Sequence, residues 1–220
     1  MATYETNKDR VPESAPAGTR RACCARCGRP CPACICGWIR PLESVVDVLI
    51  LQHPMELGNA KGSARLLHMS VAASRLEVGE QFAPGQLAEW LGAGGRTPLL
   101  LYPNTPQAEA LGMVPCAPLE AGLLLTPARL RLVLLDATWR KSRKMLYQNP
   151  ALQCLPRMAL SALAPSRYLI RKAHAPDQRS TLEAVCQALA QLDGDTARYA
   201  PLLDAFDGFV AAYAARLPDA

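Results

Sequence analysis

The chain has 220 residues, of which 50% are hydrophobic and 5% aromatic, so it can bury one medium-sized core made mostly of Leu, Val and Ala. Its formal charge of +5 is compatible with a polyanionic partner without requiring one. No stretch approaches the roughly 18 apolar residues of a membrane-spanning helix, and residues 1–20 lack the apolar region of a secretory signal, so we expect a cytoplasmic protein without a membrane partner.

Charge is distributed unevenly along the chain, which is more informative than the total. Residues 14–42 contain five arginines and no acid, and residues 128–179 contain eleven lysines or arginines against two aspartates. From residue 181 onward the balance reverses, with six acids against two arginines. This pattern predicts one basic face, although an ordinary solvated surface accounts for the same counts equally well.

A cysteine-rich module follows a lead-in, residues 1–21, that we expect to be disordered. Six of the nine cysteines lie within residues 23–36, in the stretch CCARCGRPCPACICGW. Two closely spaced pairs separated by six residues can surround one tetrahedral ion, and four thiolates favour a structural zinc. The predicted ligands are Cys24, Cys27, Cys34 and Cys36. Cys23 or Cys31 could replace one of them, and a redox thiol cluster or plain small hydrophobic residues are the alternatives to the zinc module of residues 22–42.

Downstream of this module, hydrophobic periodicity predicts strands that alternate with helices. The run VVDVLILQHP is almost continuously apolar, as expected for a strand buried on both faces of a parallel sheet. The predicted strands are 45–54, 76–78, 97–103, 130–135 and a short 157–160. The predicted helices are 63–69, 84–92, 139–147, 181–192 and 202–217. The alternation indicates an α/β domain over residues 43–220, with a mostly parallel sheet flanked by helices.

Short polar sequences follow three of the predicted strands, at the sheet edge where open parallel sheets form their sites. They are residues 52–54, 102–105 and 136–139. Asp136 has two interpretations: it caps the helix that begins near Thr138, a role that Thr138 could also fill, or it is a carboxylate at the mouth of a pocket walled by Trp139. Local reasoning favours the cap.

Two helix starts pose further questions about ligands. The helix after Thr138 opens with four cations within five positions, which opposes the helix macrodipole and suggests a phosphate backbone lying across that end. Ser180 and Glu183 have the spacing of a capping box, which is a sufficient structural explanation for them. The same helix N-terminus could also receive a ligand carboxylate.

Together these segments resemble the DTW-domain family, in particular its bacterial tRNA-uridine aminocarboxypropyltransferases. The family's Asp-x-Thr-Trp motif stands here at residues 136–139. Five further segments follow the family pattern in order: CARCGRPCPACIC, LQHPMELGNAKGSARLL, LLLYPNTP, PSRYLIRKA and DQRSTLEA. The likeness covers nearly all of the chain from residue 22 onward.

The resemblance implies a SPOUT-like, knotted α/β domain that uses S-adenosylmethionine as donor. The implied reaction transfers its 3-amino-3-carboxypropyl group to N3 of a uridine in tRNA and releases methylthioadenosine. A SPOUT-type RNA methyltransferase with the same donor, or a zinc-module RNA-binding protein without catalysis, are the alternatives. The implied partner is tRNA rather than DNA, and a monomer is expected over a dimer.

The resemblance also implies roles for individual residues. Asp136 is the general base, and it needs partial burial because a carboxylate in water is a weak base for an imide. The implied cofactor contacts are Ser63 (where the family often has Thr), Pro103, Asn104, Thr105, Thr138, Trp139, Ser180 and Thr181. The implied tRNA contacts are Arg140, Lys141, Arg143, Lys144, Arg167, Arg171 and Lys172.

Overall fold

The computed structural model describes residues 22–59, 62–103, 114–160 and 179–215. Five predicted site residues lie outside these ranges, as does the lead-in of residues 1–21: Asn104, Thr105, Arg167, Arg171 and Lys172. The strands are β1 Asp47–Gln52, β2 Ser74–Val78, β3 Thr97–Leu101, β4 Leu130–Asp136 and β5 Arg157–Met158. The helices are α1 Ala64–Ser70, α2 Pro84–Gly92, α3 Trp139–Gln148, α4 Pro150–Gln153, α5 Thr181–Asp193 and α6 Thr196–Ala214.

The five strands form one sheet in the order β2-β1-β4-β3-β5. Every pairing in this sheet is parallel, which confirms the predicted parallel architecture. Five of the six β1 residues are buried, as the continuous apolar run predicted. Because the strands are parallel, the carboxyl ends of β1, β4 and β3 lie side by side at one edge of the sheet.

Successive side chains of each strand point to opposite faces of the sheet, so a hydrophobic core forms on each face. The fold therefore has three layers, with helices on both sides of the sheet. On one face, Val48 and Leu132 pack with residues of α1, α5 and α6, and with Cys27 and Ile35 of the cysteine-rich segment. On the other face, Leu49 and the neighbouring strands pack with residues of α2, α3 and α4. The cysteine-rich segment therefore shares the core of the α/β layer beneath it.

The last helix begins earlier than predicted, at Thr196 rather than residue 202. Gly194, with a φ of 72°, ends α5, and the Asp195 side chain then accepts a hydrogen bond from the Arg198 backbone nitrogen at 3.0 Å. This cap starts α6 before Pro201, which lies inside the helix. The predicted start was therefore six residues too late.

The short helix α4 was also not predicted. No helix in the described part of the chain is both long enough and apolar enough to cross a bilayer.

Candidate active site and metal centre

Asp136 ends β4 at the carboxyl edge of the sheet, with only 7% of its surface exposed. Gln52, its partner in register on β1, donates a hydrogen bond from Nε2 to Asp136 Oδ2 at 2.8 Å. Thr181, the first residue of α5, donates from Oγ1 to Asp136 Oδ1 at 2.5 Å. Both carboxylate oxygens therefore accept a hydrogen bond from a residue of a neighbouring element, Gln52 of β1 and Thr181 of α5. Asp136 is thus a buried carboxyl group held by hydrogen bonds from two sides.

The interpretation of Asp136 as a helix cap is therefore wrong. Thr138 occupies the N-cap position of α3, and its side chain makes no capping hydrogen bond there. The physical reason is tertiary, because the register of the parallel strands sets Gln52 directly beside Asp136. Gln52 lies 84 residues away from Asp136 in sequence, so capping preferences of nearby residues could not predict this contact.

The start of α5 is held against the start of α1, beside Asp136. Ser180 and Glu183 form the predicted capping box, with Ser180 Oγ accepting from the Glu183 nitrogen at 3.2 Å and Glu183 Oε2 accepting from the Ser180 nitrogen at 2.9 Å. Ser63 Oγ accepts from the backbone nitrogen of Leu182 at 3.2 Å. Both serines are buried, and their hydroxyl oxygens hold α5 so that Thr181 reaches the Asp136 carboxylate.

An aromatic wall stands next to Asp136 along the sheet edge. Trp139 is 54% exposed, and its ring meets that of Tyr102 edge-on at 5.7 Å between centroids. Tyr102 is buried, its hydroxyl lies 3.3 Å from Ser142 Oγ, and the Arg157 guanidinium lies 5.7 Å from its ring centroid. Pro103 follows it and is exposed. Tyr102 is a site residue that sequence reasoning placed at the strand end without giving it a role.

The four cations of α3 fall into two classes. Lys141 Nζ lies 3.3 Å from Oε1 of the buried Glu56, and Lys144 Nζ lies 2.8 Å from Glu80 Oε1. The Lys144 hydrogen bond lowers the pKa of the Glu80 carboxyl. Arg140 and Arg143 are exposed and have no ion-pair partner in the described part of the chain. Charge counting could not separate the two classes, since both glutamates come from distant loops.

The four predicted metal ligands are brought together. Their sulfur atoms all lie within 4.8 Å of one another, with 3.7 Å between Cys24 and Cys36 and 3.8 Å between Cys27 and Cys34. A tetrahedral zinc with Zn–S bonds of about 2.3 Å sets its sulfur atoms roughly 3.8 Å apart, so the donor set fits. Cys23 and Cys31, the alternative ligands, are exposed and lie outside this group.

The backbone and the close sulfur atoms shift the pKa values of these thiols in opposite directions. Backbone hydrogen bonds from Cys27 and Arg26 lower the pKa of Cys24 to about 6. Burial and the neighbouring thiols raise the pKa of Cys36 to about 12. Four thiolates so close together repel one another, and a divalent cation removes that repulsion.

The cysteine-rich segment is also joined to the polypeptide before α1. Arg29, 9% exposed, donates from Nη2 to the carbonyl oxygens of Asn59 at 2.9 Å and Gly62 at 3.3 Å. Its guanidinium lies 5.6 Å from the ring centroid of Phe209 on α6. A metal that orders this segment would therefore also fix the position of Arg29. Arg29 in turn holds the backbone of Asn59 and Gly62, just before Ser63.

Comparison with known proteins gives one family and several relatives. A family model described as the DTW domain matches residues 21–214. The mouse (Mus musculus) protein tRNA-uridine aminocarboxypropyltransferase 2 is 30% identical over 182 residues, which cover 79% of this chain and 57% of the mouse protein. The fruit fly (Drosophila melanogaster) protein of the same name is 31% identical over 191 residues, covering 84% of this chain and 72% of the fly protein. The chain thus spans little more than half of the mouse relative, and no solved structure matches significantly.

Proposed function

The chain belongs to the DTW-domain family, and on that premise we propose that it transfers the 3-amino-3-carboxypropyl group of S-adenosylmethionine to N3 of a uridine in tRNA, releasing methylthioadenosine. The relatives named above support the reaction class, because their names describe this transfer. The single observation that carries the proposal is the environment of the motif itself. Its aspartate is a buried carboxylate held by Gln52 and Thr181, and its tryptophan stands exposed beside it.

In this proposal Asp136 accepts the N3 proton as N3 forms a bond to the carbon next to the sulfonium. The carbon–sulfur bond breaks with its electron pair on sulfur, which leaves methylthioadenosine as a neutral thioether. Burial of Asp136 supports this role, because a carboxylate with little water around it is a better base than a solvated one. Fixed hydrogen bonds also hold its oxygen atoms in one orientation, which a directed proton transfer requires.

The donor is oriented by groups along the same edge of the sheet. Trp139 and the buried Tyr102 provide an aromatic wall, and an aromatic face attracts a sulfonium cation. The other proposed cofactor contacts in the described ranges are Ser63, Pro103, Thr138, Ser180 and Thr181. The methyl carbon is the least hindered carbon on the sulfonium, so the site has to present a different carbon to the nucleophile. A SPOUT-like, knotted arrangement of the domain of residues 43–220 belongs to the same proposal.

Zinc is the proposed metal of residues 22–42, held by Cys24, Cys27, Cys34 and Cys36. Four protein ligands leave no open coordination position, so the metal's role is structural. The proposed tRNA contacts among described residues are Arg140 and Arg143, which are open to solvent, with Lys141 and Lys144 alongside them in ion pairs with Glu56 and Glu80.

The test uses unmodified bulk tRNA and two preparations of S-adenosylmethionine, one labelled in the carboxyl carbon and one in the methyl. Carboxyl label alone in the tRNA is the expected result. Methyl label alone would make the protein a methyltransferase, and label from neither would refute the proposal. Asp136→Asn should abolish transfer while leaving the Kd for S-adenosylmethionine within about threefold of the wild type. Retained turnover would remove Asp136 as the base.

A further inference from the structure

The solvent side of α3 carries an interaction surface that extends beyond the site around Asp136. At about 100° per residue, five side chains of this helix fall within an arc of roughly 140°, opposite the buried Ser142, Met145 and Leu146. We call these five the α3 surface: Trp139, Arg140, Arg143, Lys144 and Tyr147. All five are exposed, and α3 contains no acidic residue.

Packing leaves the two aromatic side chains of this surface largely exposed, and an ion pair neutralises only Lys144 among its three cations in the described structure. The Tyr147 side chain is 64% exposed and that of Trp139 54% exposed, although large aromatic groups are usually mostly buried. Cations in the first turns of a helix oppose its macrodipole, and the ion pair of Lys144 leaves the two arginines without such compensation in the described structure. Exposed aromatic rings interleaved with unneutralised arginines match a polyanion that carries flat, apolar faces.

We propose that the α3 surface binds unpaired nucleotides of the substrate RNA, with Tyr147 stacking on a base while Arg140 and Arg143 contact phosphates. This inference rests on the proposed function for the identity of the RNA. N3 is the atom through which a uridine pairs, so a uridine that reacts there is unpaired, and its neighbours can expose their faces as well. A duplex hides those faces within its stack and offers no equivalent to Tyr147.

The position of Tyr147 places the far end of the α3 surface outside the catalytic site, which the Trp139 end borders. Tyr147 lies eight residues after Trp139, which is about 12 Å along the helix axis. The base that it stacks on is therefore a few nucleotides away from the uridine at Asp136. The α3 surface consequently selects the local form of the RNA rather than the reacting base.

The test measures binding of a short unstructured RNA oligonucleotide, and of the same strand annealed to its complement, over a range of salt concentrations. Wild type should prefer the single strand. Tyr147→Ala should weaken that binding about tenfold without changing the salt slope, and Tyr147→Phe should restore it. Arg143→Gln should reduce the slope of log K against log salt by about 0.7.

Two controls lie at the opposite edge of the sheet, just before β4. Arg129→Gln makes the same charge change at an exposed arginine, and Leu125→Ala truncates a side chain that is 82% exposed. Neither should alter binding. The proposal is overturned if wild type binds neither strand form or prefers the duplex, if Tyr147→Ala binds normally, if Tyr147→Phe is as weak as Tyr147→Ala, or if Arg143→Gln keeps the wild-type slope.

Failure of this inference can be told apart from failure of the proposed function. Transfer of carboxyl label by a wild type whose RNA binding ignores Tyr147 would refute the α3 surface and leave the reaction intact. Single-strand binding that depends on Tyr147, in a protein that transfers no label, would refute the reaction and leave the α3 surface intact.

Discussion

Replacing Gln52 with leucine tests whether the end of β1 positions the Asp136 carboxylate. Gln52 is 5% exposed and donates a 2.8 Å hydrogen bond to Oδ2 of that carboxylate. Leucine has a similar volume but no donor. A hydrogen bond to a charged group contributes about 1.5–3 kcal/mol, and each kcal/mol shifts the Tm of a chain of this size by about 2–4 °C. The expected Tm therefore falls by about 3–12 °C.

The same substitution should lower the rate of transfer by up to about 100-fold, because small displacements of a reacting group carry large kinetic costs. Thermal unfolding and single-turnover transfer, measured where both proteins are folded, provide the two readouts. Gln153→Leu is the control for loss of a buried amide, since Gln153 is 4% exposed, donates to the neutral Leu146 and Tyr147 carbonyl oxygens at 2.8 and 3.2 Å, and accepts from the Val114 nitrogen at 2.8 Å. It should lose stability and keep its rate. If Gln52→Leu also keeps the wild-type rate, Gln52 is structural only and the reasoning about Asp136 is wrong.

Three further predictions concern the metal, an ion pair and a close packing contact. Purified protein should contain about one zinc per chain. Cys27→Ser should lower the metal content and the Tm together, because Cys27 is fully buried in the main core. A wild-type protein that is folded without metal would contradict this prediction. The pKa of Glu80 is lowered by Lys144, so the pair stabilises the fold above the ordinary glutamate pKa of about 4.3, and this contribution is lost as pH falls through the lower folded pKa. Lys144→Met should raise the Glu80 pKa in an NMR titration, and an unchanged value would refute the pairing. Gly208→Ala places a methyl group against the Trp38 ring, so it should destabilise the folded protein by about 1–3 kcal/mol. This loss should outweigh the better helix propensity of alanine. An unchanged or higher Tm would show that Trp38 moves aside.

The sequence was sufficient for those features that depend on nearby residues. The apolar run before Gln52 predicted a strand buried on both faces, and the paired spacing of the cysteines predicted which four sulfur atoms meet. Ser180 and Glu183 formed their capping box for the same reason, since both partners lie within one turn of helix. In each case the pattern and the contact span a short stretch of chain, so composition and spacing carry the information.

Features that depend on strand register were not accessible in this way. The Asp136 carboxylate is held by Gln52 and Thr181, which lie 84 and 45 residues away, and only the assembled sheet brings them together. The pairing of Lys141 with Glu56 spans 85 residues. Local reasoning consequently favoured a cap for Asp136 and treated the four cations as equivalent, because the partners of these side chains are distant in sequence.

The loops at the sheet edge explain how the cations of α3 can lie close to the buried carboxyl group of Asp136. Glu56 and Glu80 lie in the loops after β1 and β2, and each accepts one lysine from α3. These ion pairs offset the unfavourable interaction of the two lysine charges with the helix dipole, whereas Arg140, which is nearer the start of α3, has no such partner in the described part of the chain. Arg140 and Arg143 face solvent instead, and a guanidinium keeps its charge while it binds phosphate in a fixed geometry. The division between paired lysines and open arginines leaves the charge of Arg140 and Arg143 on the solvent side of α3.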